Sequence, residues 1–300
     1  MKNKAINPIH FSKFLVFLIV VAGSPAQAAE DSEQFRKLYE KEWDFRLKEM
    51  PLFASSAGVH DYADLLGHVS EADQARRHSY WKNIRSELDH ISCERLSREE
   101  CINYRIFVRQ MDNYIAAYES KSYLIPFTSD SGFYTEWARL AQTSDFDSED
   151  DYRNYLSRLQ QLPLVMDEYI ELMREGIKLG FTQPRVILDG RDEPIKAQLV
   201  ERADQSPFFQ PFTDVPEAMA GGQKAELLAT AEKVISDDVI PAYQRLYDFF
   251  HKEYLPGARS SLGASELPGG KQFYQTQIQR YVTMDLTPQQ IHDIGLEQVA

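Results

Sequence analysis

Apolar side chains return every three or four positions along most of this chain, and prolines, glycines and capping residues cut the pattern into helix-length pieces. Such spacing gives each helix one apolar stripe, which has to be buried against a neighbour. No series of alternating β-branched residues competes with it. The pattern predicts a mainly α protein, a multi-helix array or bundle with irregular Pro- and Gly-rich connections and minor β at most.

In chain order, a first helix is expected over residues 32–50, with Phe35, Leu38, Tyr39, Trp43, Phe45 and Met50 along its stripe and Pro51 ending it. Residues 53–66 read as a Gly- and Asp-containing loop. A second helix is expected over 70–91, opened by Ser70-Glu71. A third starts at Ser97, where Ser97 and Glu100 form a capping-box pattern, and carries Ile102, Ile106, Met111 and Tyr114 on one side, with Phe107 beside them. Pro126, Gly132 and several aromatics make 123–141 an irregular connection. Ser148 and the acids after it start a helix, Pro163 is expected to start another, and Gly180 stops it after Leu179. Prolines then loosen the chain around Phe208, Phe209 and Phe212. The helical pattern returns over 217–254 in two pieces, with Pro241 opening the second. Residues 258–267 are compatible with an extended strand, although a strand is not the favoured reading.

With 43% hydrophobic residues, a chain of 300 can bury a sizeable core, and no linker marks a second domain. Its 33 basic and 46 acidic side chains leave a net charge of −13, without the basic footprint that nucleic acid or an anionic membrane surface requires. Residues 1–28 read as a signal peptide: Lys2, Lys4 and Lys13 precede the apolar run Phe14 to Ala22, and Ala26-Gln27-Ala28 supplies a small-x-small cleavage pattern. The run is short of the roughly 20 residues a spanning helix needs. Cleavage between Ala28 and Ala29 would release residues 29–300 to the periplasm or medium, free of the membrane. Export makes a Cys93–Cys101 disulfide permissible, against the alternative of two free buried thiols; both readings stay open.

Candidate chemistry is sparse. The run Asp145 to Glu149 resembles an EF-hand opening but has Asp150 and Leu156 where that loop needs Gly and Glu, so helix capping explains it. Ser79-Tyr80-Trp81-Lys82 matches S-x-x-K without its partner motifs and reads as helix surface. Gly263-Ala264-Ser265 lacks the second glycine of a nucleophile elbow. None of His60, His68, His78, His90, His251 or His292 has a second His at H-E-x-x-H spacing, and His251 and Glu253 are two apart, on different helix faces.

The stretch 254–300 is the most informative. Pro268-Gly269-Gly270 forms a turn ahead of an aromatic helix bearing Phe273, Tyr274, Ile278 and Tyr281. Pro268, Gly269, Gly270 and Tyr274 are the candidate substrate-binding residues, a backbone able to approach a ligand closely; a plain tight turn is the favoured alternative. Thr287, Pro288 and Gln290 then start a helix on which His292 occupies the second turn.

These residues carry a resemblance. Tyr254-Leu255-Pro256-Gly257-Ala258-Arg259, Gly263, Leu267 to Gly270 with Tyr274, Leu286-Thr287-Pro288 and Ile291-His292 with Ile294-Gly295-Leu296 and Val299 are similar to the bacterial DUF885 proteins. Weaker echoes lie at 173–177, Pro184, 206–209 and 240–243. The resemblance implies an exported or lipid-anchored relative of gluzincin-type zinc metallopeptidases, about twice as long, whose zinc site lies in its second half. No residue here matches those ligands, so no catalytic residue and no zinc ligand carries over. The expectation is the N-terminal, substrate-cleft half of such an enzyme, inactive alone, whose partner is the C-terminal half of the same fold. The alternative is a non-catalytic periplasmic helical protein binding peptides or small molecules in aromatic clefts near residues 123–134 and 208–212.

Overall fold

The computed structural model describes residues 25–216 and 224–300. Lys2, Lys4, Lys13 and the run 14–22, on which the signal-peptide reading rests, lie outside the described residues; Ala28 and Ala29 sit in the first turns of helix α1 (Pro25–Glu49). Pro51 cannot continue α1 and instead opens a short helix α2 (Pro51–Ser56), so the stretch read as loop from residue 53 begins as helix. The Ser70 side chain accepts from Asp73 N to start α3 (Glu71–Leu88), and Ser97 with Glu100 closes a full capping box on α4 (Arg98–Glu119).

Helices α1, α3 and α4 close on one core of Phe35, Leu38, Trp81, Ile84, Leu88, Phe107 and Met111 with neighbours. Two stripes differ from expectation. On α4 the buried line runs through Cys101, Tyr104, Phe107, Met111 and Tyr114, while Ile102 and Ile106 are 50% and 61% exposed. On α1 it passes Asp31, Phe35, Leu38 and Glu42, leaving Tyr39 and Trp43 largely outside. Both carboxylates have partners. Asp31 accepts from Ser92 N at 3.1 Å and Arg95 Nε at 2.7 Å, and Glu42 pairs with Arg46 at 2.7 Å. Burial alone would raise the Asp31 carboxyl; the bonds from Arg95 and Ser92 overcome it and hold the group below its ordinary range. Cys93 and Cys101 are joined in a disulfide with their Cα atoms 4.9 Å apart, tying the turn after α3 to the first turn of α4.

After the short helix α5 (Phe133–Trp137) comes the longest helix, α6 (Glu149–Leu179). Ser148 and Asp151 form its capping box, and Gly180 ends it at φ 80°. Pro163 lies inside α6 instead of starting a helix. A proline's φ suits both positions, and here Leu159, Leu162, Val165 and Met166 are buried on either side, which offsets the lost backbone bond. Beyond the four-residue α7 (Glu193–Lys196), Phe208, Phe209 and Phe212 are buried, in the larger core built on α6.

The two helices expected over 217–254 are one run. Helices α8 (Lys224–Val234), α9 (Ile240–Phe249) and α10 (Leu255–Gly257) are joined by π-helical turns at Ile235–Val239 and Phe250–Tyr254. Each π turn precedes a proline, Pro241 or Pro256. The ring of each would press on the carbonyl four residues back, at Asp237 or Lys252, and both lie in the widened turns. Among the described residues there is no sheet. Residues 258–267 contribute only an isolated bridge from Arg259 to Pro184. The chain continues through α11 (Gly270–Val282) and α12 (Pro288–Val299), whose Ile294, Leu296 and Val299 are exposed.

Gly176 on α6 tests how tightly this frame closes. A Cβ there would lie 2.7 Å from the Phe181 carbonyl and 2.9 Å from that of Leu124. Gly to Ala inside a helix normally gains about 1 kcal/mol. Gly176→Ala is instead expected to lose roughly 1–3 kcal/mol from overpacking, read as a lowered urea midpoint; a raised midpoint would refute the close approach.

Candidate ligand-binding cleft

Between the two cores lies a cavity of about 550 Å³, lined from the end of α1, α2, α3, α4, α5, α6 and α11. Its walls are aromatic pairs. Trp81 on α3 stacks on Tyr114 of α4 with centroids 4.3 Å apart. Phe133 of α5 stacks on Tyr169 of α6 at 3.9 Å, and Trp137 meets the same tyrosine edge-on at 5.6 Å. Tyr118 and Tyr123 stack at 5.3 Å on one flank. Such faces favour flat or branched apolar groups.

Helix α6 holds the floor of the cleft in place. Glu168 accepts from His68 Nδ1 at 2.9 Å and from Val69 N at 2.8 Å. One turn and more upstream, Gln161 Nε2 donates to the Asp64 carbonyl at 2.7 Å, while Arg158 donates to the Leu65 carbonyl at 3.0 Å and Ser55 Oγ at 2.6 Å. These side chains fix the 60–70 segment on which His68 and Leu66 line the cavity.

Charges of both signs reach the cleft: Glu49, Arg77, Glu136 and Arg280. Arg77 is 5% exposed and donates from Nη1 to the His68 carbonyl at 2.9 Å, with Glu49 at 3.5 Å. Burial pushes the Arg77 guanidinium below its ordinary range, against the pull of Glu49 and Asp73. Tyr169 is pushed up to about 12 by burial, with Glu136 adding to the rise and Arg77 opposing it, so its phenol stays protonated and able to donate.

The residues singled out from sequence lie elsewhere. Pro268, Gly269, Gly270 and Tyr274 are outside this cleft. Gly269 takes φ 66°, and a Cβ on Gly270 would fall 2.3 Å from the Ala264 carbonyl, so the second glycine is needed for chain packing. Pro268 packs toward Gly180, beside buried Leu267. Tyr274 and His292 are exposed. Of the two aromatic clefts considered, Tyr123 and Phe133 do line the cavity, whereas Phe208, Phe209 and Phe212 are closed into the core and form no cleft. Ser79 and Lys82 are exposed as expected of helix surface, but Trp81 between them is cavity wall. Arg77, Trp137 and Tyr169 carried no sequence signal beyond residue type, because the cavity is assembled from segments more than 200 residues apart.

Zinc does not fit the described residues. His68, His78 and His251 each meet one carboxylate, Glu168, Glu119 and Asp192, and no three His, Cys, Asp or Glu side chains gather there.

The model of a bacterial protein family of unknown function, DUF885, matches residues 51–300. The chain belongs to the DUF885 family. No curated protein matches the sequence. Among solved structures, "the putative lipoprotein from Colwellia psychrerythraea" superposes with a TM-score of 0.76 at 20% identity. The match covers 91% of this chain and 49% of that one, so this DUF885 chain spans about half the length of that structure. At that identity the likeness establishes the helical fold. Among the described residues, no helix is long and apolar enough to cross a membrane.

The wall residue Trp81 depends on a buried acid. Its Nε1 donates to Glu42 Oε1 at 3.4 Å. Burial pushes the Glu42 carboxyl above its ordinary range, despite Arg46. The native state then keeps the proton longer than the unfolded chain, so stability falls as pH climbs from the ordinary carboxylate range through the raised value. Glu42→Gln keeps an acceptor for Trp81. It is expected to flatten that decline in the urea midpoint between acidic and neutral pH. An equal decline in both proteins would remove Glu42 as its source.

Proposed function

We propose that this chain supplies the substrate-cleft half of an exported DUF885-type zinc metallopeptidase, and that the aromatic cavity between its two cores receives part of a peptide. The observation supporting this is the cavity itself: about 550 Å³, walled by Trp81, Tyr114, Phe133, Trp137 and Tyr169, with both signs of charge beside them. Apolar walls with a few placed polar groups are what a ligand site requires. In relatives of the resembling enzymes zinc would polarise a water for attack on a peptide carbonyl. The described residues of this chain bind and orient; they gather no metal donors, and no hydrolytic step is assigned to them. The fold match to half of a longer structure is consistent with that division of labour.

Two of the chain's three tryptophans, Trp81 and Trp137, line the cavity, so ligand entry should change tryptophan emission. The purified chain is expected to bind short peptides with aromatic residues saturably, a response lost in Trp81→Phe/Trp137→Phe. It is expected to release no product from them, with or without added zinc. Stoichiometric zinc uptake with cleavage abolished by a chelator would overturn the second expectation, and no saturable emission change with any peptide would overturn the first.

A further inference from the structure

The guanidinium of Arg77 is only half used. Of its three nitrogens, Nη1 bonds the His68 carbonyl and faces Glu49, while Nε and Nη2 have no hydrogen-bond partner among the described residues. Neither is among the polar atoms sealed away without a partner, so both keep solvent contact. Arg77 is 95% buried and lines the cavity. The free edge of a guanidinium is a planar pair of donors matched to a carboxylate. Tyr169 lines the same cavity, and its hydroxyl is likewise without a partner among the described residues.

The surroundings fix what else the ligand carries. Glu49 does not quench the free edge: it meets Arg77 through Nη1, and its other oxygen is bonded to Arg76, which also pairs with Asp73. The local charges of Arg76, Arg77, Glu49 and Asp73 balance, and Arg280 adds a positive group to the lining. Glu136, the remaining acid on the wall, is exposed and therefore screened. Beside the guanidinium, Trp81 and the Phe133–Tyr169 stack offer flat apolar faces.

We infer that Arg77 and Tyr169 form a carboxylate-binding subsite, and that the cavity takes the C-terminal residue of a peptide ending in an aromatic or branched apolar side chain. The free edge of Arg77 donates to both carboxylate oxygens, Tyr169 donates to one of them, and the side chain lies between the aromatic walls. This rests on the cleft being the ligand site, and it narrows the ligand to one with a free terminal acid.

The test uses the purified full chain and three probes: Ala-Ala-Phe, its C-terminal amide, and N-acetyl-phenylalanine, each titrated by tryptophan emission and calorimetry. Ala-Ala-Phe is expected to bind about tenfold or more tighter than the amide, the scale of a lost charge-assisted bond. Arg77→Lys, which keeps the charge and loses the fork, and Tyr169→Phe should each shrink that ratio; an unchanged ratio in both folded variants overturns the subsite. Because the acid-to-amide ratio is measured on the unaltered protein, a variant that fails to fold leaves the test intact. Equal binding of acid and amide overturns the subsite and leaves the cleft standing; no binding of any probe overturns both. N-acetyl-phenylalanine binding as tightly as the tripeptide overturns the peptide assignment.

Discussion

Burial of α6 along almost its whole length is the constraint on which the rest of this structure depends. Twelve of its residues, from Tyr152 to Gly176, are closed in, so partners have to cover it on several sides. The helical run 224–257 covers one side and the 60–70 segment another, and Leu124, Phe181 and Leu267 close its C-terminal end. A helix so enclosed cannot shift without opening several contacts together, which makes its polar side chains reliable anchors. Arg158, Gln161 and Glu168 serve in this way, each reaching backbone atoms of the segment that floors the cleft. Arg158 is 4% exposed and has carbonyl and hydroxyl acceptors in place of a carboxylate. Leaving it unpaired would be costly, so the 55–65 segment is held to one conformation.

The N-terminal layer uses buried charge differently. Asp31 and Glu42 occupy positions on α1 where a simple amphipathic helix would have apolar residues. Each is matched to one donor set: Asp31 to the Ser92–Arg95 turn, Glu42 to Arg46 and the indole of Trp81. Such pairs add little net stability relative to apolar residues of the same size, but breaking one is expensive, so they favour a single register of α1 on its neighbours. That register aims Trp81 at the cavity.

How far the sequence foretold this depended on whether the signal was local. Helix starts were legible at Ser70, Ser97, Ser148 and Thr287, because an N-cap contact, with a full capping box at the last three, is complete within four residues. Prolines were not. Pro163, Pro241 and Pro256 sit within helical runs because burial or a π turn accommodates them, and neither is visible from neighbours in sequence. On α4 Met111 and Tyr114 face the core as expected, but Ile102 and Ile106 do not: they are as apolar as Phe107, and only the disulfide and the packing of α1 and α3 choose between them. The tight packing of Gly270 against residues 264 and 265 likewise had no local signal beyond the turn itself. The cleft itself has no local signature, since Glu49 and Arg280 meet only when the fold is complete.

Its position between the cores explains how such a cavity persists. A void inside a packed core costs the contacts its lining would otherwise make, and the core tends to relax inward. Here the lining is shared: Trp81 belongs to the core of α1, α3 and α4, while Leu66, Phe133, Trp137 and Val165 belong to the core of α6. Each core is satisfied on its own side, and the ion pairs and the Glu168 anchor set the distance between them. Closing the gap would require one core to move as a body against α6, and the bonds from Arg158, Gln161 and Glu168 oppose that movement. The aromatic faces are therefore held apart and presented to a ligand, with one buried guanidinium edge left free among them.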